Sequence, residues 1–170
     1  MLEEFGQIVA PGGAVFGDLE HGRVYAATGR RSGARPGPHL DRRVAGLRIL
    51  APDAVPNSGA AYALAKRANH LRVQSAALAW GDRGARVNSI SPGIILTPLA
   101  QQEMGGEGGP GYRAMIDASA AGRVGTTGEI ATAAAYLLGP DAGFITGADL
   151  LIEGGVIAAL HAGRLQVHLR

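Results

Sequence analysis

The strongest constraint on the fold is an alternation of helical and strand-like segments in the larger, C-terminal part of the chain. Residues 60–80 are rich in helix-forming residues and follow Asn57 and Ser58, either of which can cap a helix. The segment ARVNSIS at 85–91 alternates between apolar and polar residues, as a strand does. GADLLIEGG at 147–155 is predicted to be a buried strand that ends in two glycines. Helices between strands in this order are typical of an α/β fold with a parallel sheet.

Shorter segments complete this pattern between the two predicted strands. We predict helices at 99–104, 112–121 and 129–138, the last of them capped by Thr127. The glycine-rich segment 105–111 is predicted to be a loop, because its glycines and proline disfavour regular structure.

The N-terminal part of the chain is less regular. Residues 1–15 predict the end of a helix, the turn APGG at 10–13, and the start of a strand at Ala14–Phe16. Residues 17–48 carry seven arginines and two histidines among scattered glycines and prolines, and no helical or strand period persists there. We therefore expect 17–48 to be a loop or poorly ordered, within a chain whose 170 residues predict a single domain.

The composition argues against several classes of protein. The chain has no cysteine, which excludes disulfides, thiol catalysis and cysteine-bound metals, and we predict no metal site. The formal net charge of +2 gives little support to nucleic-acid binding. That alternative depends only on the arginines at positions 30, 31, 35, 42 and 43. The first residues, MLEEFG, are acidic, and charged residues interrupt the apolar stretch 144–160, so we expect a cytoplasmic protein without a membrane span.

The only lysine of the chain, Lys66, lies four residues after Tyr62 in the predicted helix 60–80. Residues i and i+4 share one face of a helix, about 5–6 Å apart at Cβ. An ammonium group beside a phenol favours the phenolate, and a general acid or base works best with a pKa near the working pH. The pair is therefore a candidate for proton transfer. A tyrosine packed in a core beside a solvated lysine is the alternative, and the spacing alone favours that alternative.

Further motifs follow this pair in a fixed order. Tyr62 and Lys66 precede RGARVNSISPGIILTP at 83–98, and then GRVGTTGEIATAAAYLLGPDAGFITGADLLIEGG at 122–155. The combination resembles the short-chain dehydrogenase/reductase family over about residues 49–158. The resemblance implies the C-terminal part of a Rossmann-like, doubly wound parallel sheet that binds NAD or NADP. It also implies hydride transfer between that cofactor and a small secondary alcohol or ketone.

The same resemblance implies roles for single residues. Tyr62 would be the acid/base that exchanges a proton with the substrate oxygen. Lys66 would support it electrostatically and bind the nicotinamide ribose, so both residues would also contact the cofactor.

The loop PGIILTP at 92–98 would lie beside the nicotinamide, as expected of a loop at the carboxyl end of a parallel strand. There Pro92 and Gly93 would shape the turn, and the backbone of Ile95 would meet the carboxamide. Thr97 would reach the carboxamide or the pyrophosphate. We expect Asn88, on the preceding strand, to have a structural role.

The sequence departs from the family pattern before Tyr62. The family's glycine-rich T-G-x-x-x-G-x-G turn, which holds the pyrophosphate at a helix N-terminus, belongs more than a hundred residues earlier. Two segments, 24–35 and 105–111, resemble glycine-rich motifs only weakly. In the first, Arg35 replaces the last glycine and prolines follow; in the second, no strand precedes the glycines.

The family's catalytic serine also has no match. Ile49 stands at its usual distance before Tyr62, Ser58 is placed to cap the helix, and Ser32 lies in the irregular stretch. We therefore expect a truncated chain, with a shifted reading frame across 17–48. Translating the underlying DNA in its other frames tests the frame-shift hypothesis.

An alternative is a catalytically inactive remnant that acts only in subunit association. The helix 60–80 carries eight alanines, so it is thin enough for close packing, and we expect a homo-oligomer formed through it. The substrate and the choice between NAD and NADP stay open.

We predict that this chain binds NADH or NADPH weakly or not at all, because the sequence offers contacts mainly on the nicotinamide side. Titration followed by fluorescence or calorimetry measures this, and an affinity in the micromolar range would contradict the prediction.

Overall fold

The computed structural model describes residues 10–18 and 54–166, which form three strands and five α-helices. In chain order these are β1 Ala14–Asp18, α1 Ser58–Gly81, β2 Arg86–Pro92, α2 Pro98–Gly105, α3 Gly109–Ala118, α4 Thr127–Leu138, β3 Asp149–Ile152 and α5 Val156–His161. A single 3₁₀ turn, Pro140–Ala142, lies between α4 and β3.

The strands form one parallel sheet in the order β1-β2-β3. Ala14 pairs with Arg86 at one side of β2, and Ser89 pairs with Asp149 at the other. The α/β prediction is confirmed. Because all three strands run in the same direction, their carboxyl ends lie along one edge of the sheet, where parallel sheets bind ligands.

Successive side chains of β2 point to opposite faces of the sheet, and one helix packs on each face. Val87 packs against Val73 and Trp80 of α1 in one apolar cluster. The side chain of Ile90, three residues later and therefore on the opposite face, packs against α4. Helices thus cover both faces of the described sheet, which is the doubly wound arrangement expected from the sequence.

The helix α1 buries one narrow seam against the sheet. Its buried residues are Ala63, His70, Val73 and Trp80, at spacings of seven, three and seven residues, which return to one helix face. Asn57 caps the helix, because its side-chain oxygen accepts a hydrogen bond from the backbone N–H of Ala60 at 2.8 Å. The cap is therefore Asn57 and not Ser58, the other residue that could cap the helix.

Two predicted helix starts were wrong. The cap of α4 is Thr126, not Thr127, because Thr126 and Glu129 form a reciprocal capping box. The helix α3 begins at Gly109 rather than at residue 112, and it carries Pro110 in its first turn, where a missing N–H costs nothing. Only residues 106–108 separate α2 from α3, so most of the predicted loop 105–111 is helical.

Two further segments differ from the predicted elements. The sequence pattern did not indicate α5, which directly follows the glycines after β3. Gly17 and Asp18, predicted to be irregular, belong to β1. The remainder of the predicted irregular stretch, 19–48, lies outside the described residues.

A polar contact from the sheet holds the C-terminal end of α4. The guanidinium of Arg86 donates hydrogen bonds to the carbonyl oxygens of Leu137 at 2.8 Å, Gly139 at 3.0 Å and Ile145 at 3.3 Å. The last carbonyls of a helix have no partner within the helix and carry partial negative charge, so a cation there satisfies both needs.

None of the helices within the described ranges has the combined length and apolar character needed to cross a membrane. Nor does a group of three or more potential metal-ligating side chains come together among those residues.

We expect the capping box of α4 to make stability depend on pH in the acid range. The hydrogen bond from Arg123, together with those from the backbone and hydroxyl of Thr126, lowers the pKa of Glu129 from about 4.5 to about 2. A carboxylate with a lowered pKa stabilises the folded state above its unfolded pKa, and this contribution disappears as the pH falls through the folded pKa.

The melting temperature of the wild type should therefore be higher than that of Glu129→Gln at about pH 6. The two melting temperatures should converge as the pH falls from about 4.5 to about 2. Glu107→Gln, at an exposed glutamate between α2 and α3, is the control. A difference between wild type and Glu129→Gln that does not change over this range would contradict the assignment.

Candidate active site

The packing of α1 places its N-terminal turns beyond the carboxyl edge of the sheet. Trp80, near the end of α1, packs against Val87, near the start of β2. His70, ten residues earlier, contacts Ser91 near the end of β2, with 3.2 Å between Nε2 and Oγ. The helix and the strand therefore run in opposite directions. Since a helix rises 1.5 Å per residue, Lys66 and Tyr62 lie about 6 and 12 Å further along the axis than His70.

Tyr62 and Lys66 contact one another at this edge. The ammonium nitrogen of Lys66 lies 5.2 Å from the centroid of the Tyr62 ring. This contact confirms the prediction that the two side chains share one helix face. Tyr62 is 40% exposed, and Lys66 is partly buried. A cation within about 6 Å of an aromatic ring is attracted to it.

The loop after β2 approaches the loop after β3 very closely at Gly93. The N–H of Gly93 donates to the carbonyl oxygen of Ile152 at 2.8 Å. A Cβ atom on Gly93 would lie only 2.6 Å from the Cα of Glu153. Gly93 is therefore required by close backbone packing, and the buried Pro92 before it ends β2. Both residues therefore shape the turn that follows β2.

The backbone N–H and C=O groups of Ile95 point away from Gly125. The carbonyl of Ile94 accepts from the N–H of Gly125 at 2.9 Å, and the N–H of Leu96 donates to the carbonyl of Gly125 at 2.8 Å. Ile95 forms a parallel β-bridge with Gly125 between these two bonds. Since successive residues of an extended chain point their backbone groups to opposite sides, the N–H and C=O of Ile95 point away from Gly125.

Thr97 caps a helix in this structure. Its hydroxyl oxygen accepts a hydrogen bond from the backbone N–H of Ala100 at 3.1 Å, which begins α2. The hydroxyl of Thr97 keeps its own proton, so this capping threonine can still donate a hydrogen bond to a ligand. The described residues thus bring the predicted positions 62, 66 and 92–97 to one edge of the sheet.

A buried polar cluster adjoins this edge, and the sequence pattern did not identify it as a unit. It contains His70 of α1, Ser89 and Ser91 of β2, and Asp149 of β3. Ser89 donates to Asp149 Oδ1 at 2.7 Å, and Ser91 donates to its two oxygens at 2.9 and 3.0 Å. The signal available in the sequence was the pair of serines in the predicted strand 85–91. Buried hydroxyls need hydrogen-bond partners, so serines in a strand that is buried indicate a polar contact with another element.

The cluster contains the residue types of a hydrolytic triad but not its arrangement. In a triad the serine donates its proton to histidine, and the carboxylate orients the histidine. Here the proton of Ser91 is directed to Asp149, and Ser91 is 2% exposed. Nucleophilic attack by this serine is therefore not supported.

Asn88 has the structural role expected from the sequence. Its amide group donates to the carbonyl of Ile145 at 2.9 Å and accepts from the N–H of Ala148 at 3.1 Å. These bonds hold the segment that leads into β3.

The family model described as enoyl-(acyl carrier protein) reductase matches residues 44–157. A short-chain dehydrogenase/reductase of Alternaria brassicicola is 35% identical over 170 residues, covering 94% of this chain and 58% of that protein. This protein belongs to the short-chain dehydrogenase/reductase family.

Solved structures give the same fold. A short-chain dehydrogenase/reductase from Serratia marcescens superposes with a TM-score of 0.63 and 28% identity, over 91% of this chain and 50% of that one. The 3-alpha-hydroxysteroid dehydrogenase of a Pseudomonas species, in complex with NADH, has a TM-score of 0.56 and 34% identity, over 63% and 42% of the two chains. The protein described here spans about half the length of these relatives.

We expect Gly93→Ala to destabilise the protein, because the added methyl group would overlap the backbone of Glu153. Overpacking of a rigid site typically costs about 1–3 kcal/mol in the free energy of unfolding, and urea denaturation measures it. The control is Gly111→Ala in α3, where an added Cβ meets nothing within 4 Å. Alanine at 111 should be neutral or stabilising, so equal losses in the two variants would contradict the interpretation.

Proposed function

We propose that this protein takes part in NAD(P)-dependent interconversion of a small secondary alcohol and a ketone, with Tyr62 as acid/base and Lys66 as its electrostatic support. The observation that carries the proposal is the contact between Lys66 and Tyr62, 5.2 Å from ammonium nitrogen to ring centroid. Family membership adds support, since relatives of this fold include a hydroxysteroid dehydrogenase in complex with NADH.

Tyr62 would move the proton. A bound nicotinamide cofactor would supply or take up a hydride. In the direction of reduction, the phenol of Tyr62 donates its proton to the carbonyl oxygen as the C=O π bond breaks and a C–H and an O–H bond form. The adjacent ammonium of Lys66 stabilises the phenolate that remains, because an opposite charge at this range favours the ionised form.

The described residues fit a nicotinamide. A primary carboxamide has both N–H donors and a carbonyl acceptor. The N–H and C=O of Ile95 point away from Gly125. The N–H could donate to the carboxamide oxygen, and the C=O could accept from a carboxamide N–H. Thr97 would add a hydroxyl donor two residues later. Lys66 would contact the nicotinamide ribose, and Pro92 and Gly93 would hold the loop that carries Ile95.

A second candidate function is association between copies of this chain through α1. Leu71 and Leu78 lie seven residues apart on one face of the helix and are 51% and 80% exposed. Paired exposed leucines on an alanine-rich helix suit close helix packing. Sedimentation of the wild type and of Leu78→Asp would test this function, and it requires a larger species in the wild type only.

Because this chain spans about half the length of its relatives, we choose an assay that does not depend on its N-terminal part. Residues 1–53 are replaced by the whole part of the Serratia marcescens relative that precedes its match to residue 54, and residues 54–170 are kept. Turnover is followed by NADH or NADPH absorbance with a panel of secondary alcohols and ketones.

In this chimera, Tyr62→Phe should lower kcat by about 10²–10⁴-fold, since that is the usual contribution of a positioned acid/base. Phenylalanine keeps the ring beside Lys66 and removes only the hydroxyl. Tyr136→Phe, at an exposed tyrosine of α4, is the matched control and should retain activity. Full activity in Tyr62→Phe would rule out the proposed mechanism.

A further inference from the structure

We propose that His70 is a positioning residue that sets the placement of Tyr62 and Lys66 relative to the 92–97 loop, through its bond to Ser91 and Asp149. The consequence for catalysis rests on the proposed function. The structural part, that this cluster anchors the N-terminal half of α1 to the sheet, stands on the geometry alone.

The hydrogen-bond directions within the cluster follow from counting protons. A serine hydroxyl has one proton, and an ionised carboxylate only accepts. The hydroxyl of Ser91 lies 2.9 and 3.0 Å from the two oxygens of Asp149, so its proton is directed there. Its oxygen can then only accept from His70, whose Nε2 lies 3.2 Å away. His70 Nε2 therefore carries a proton and donates it to Ser91.

The same nitrogen of His70 also faces the carboxylate. Nε2 lies 3.6 Å from Asp149 Oδ1, the oxygen that accepts from Ser89. The cluster therefore joins α1, β2 and β3 through one carboxylate. Because His70 is 3% exposed and Ser89 is fully buried, water has little access to replace a lost partner of these two side chains. Buried polar groups that are fully satisfied specify one arrangement, and removing one partner penalises the others.

The position of the cluster connects it to the candidate site. His70 follows Lys66 by four residues, so the two lie one turn apart on the same face of α1. Ser91 is followed directly by Pro92 and Gly93, which begin the loop that carries Ile95. The cluster therefore links the helix with the proton-transfer pair to the strand that leads into the loop. A change of one ångström in this link would move Tyr62 relative to a ligand held by the loop, and misplacement of that size can cost about a hundredfold in rate.

The larger apolar anchors of α1 lie toward its C-terminal end. Val73 and Trp80 pack against Ala85 and Val87, at the start of β2. They hold the C-terminal half of the helix, one to three turns beyond His70. In the N-terminal half the buried apolar side chain is the single methyl group of Ala63. The helix could therefore stay attached at its C-terminal end while its N-terminal turns move away from the carboxyl edge of the sheet.

The first test measures backbone opening in the chain itself, without activity or cofactor. His70→Leu removes the donor at similar size, whereas His70→Gln keeps an N–H donor near the position of Nε2. Hydrogen exchange followed by mass spectrometry should show residues 60–69 exchanging about tenfold faster or more in the leucine variant. The glutamine variant should restore slow exchange, and residues 74–81 should change little in either.

Val73→Ala is the control, because it weakens the packing of the same helix without touching the cluster. It should accelerate exchange mainly in the C-terminal half of α1. If His70→Leu does not fold, Ser91→Ala removes a single hydroxyl and should give the same pattern in 60–69. Unchanged exchange in 60–69, or equal exchange in the leucine and glutamine variants, would overturn the proposal.

The second test uses the chimera described above and separates positioning from substrate binding. His70→Leu should lower kcat at least tenfold with less than a twofold change in KM, and His70→Gln should recover most of it; no recovery would overturn the positioning role. If Tyr62→Phe retains activity, the proposed function fails, while the exchange experiment still decides whether His70 anchors α1.

Discussion

The burial of β2 is the constraint on which the described structure depends. This strand lies between β1 and β3, carries α1 and α4 on its two faces, and is buried from Val87 to Pro92. Polar groups in such a strand cannot reach water, so each must be satisfied by another element. The contacts made by Arg86, Asn88, Ser89 and Ser91 meet this requirement, and together they connect β2 to α1, α4 and β3.

The same strand organises the candidate site. Ser91 contacts α1, which carries Tyr62 and Lys66. Gly93 is packed on Glu153, directly after β3, and Ile95 is bridged to Gly125, shortly before α4. The groups proposed to meet a ligand are therefore placed by backbone contacts and buried hydrogen bonds. Sites supported in this way lose little freedom when a ligand binds, because the ordering has already occurred during folding.

Local rules predicted most of the regular elements, and their errors have physical causes. Helix α1 and strand β2 were predicted almost to the residue, because strong helix formers and a two-residue alternation agree with the tertiary structure. The start of α3 was missed because Gly109 and Pro110 disfavour a helix in isolation, although Pro110 is tolerated in a first turn. The capping threonine of α4 was placed one residue late, although Thr126 and Glu129 have the capping-box spacing.

The sequence by itself determined the parallel α/β class and the shared helix face of Tyr62 and Lys66. These follow from periodicity and from a four-residue spacing, both of which act over short distances along the chain. Only the tertiary structure decided that His70, Ser91 and Asp149 form one cluster, and that Arg86 binds the end of α4. Residues separated by twenty to sixty positions meet only after the sheet has formed and both helices have packed on it. Their partners depend on strand register and helix direction, which no local pattern specifies.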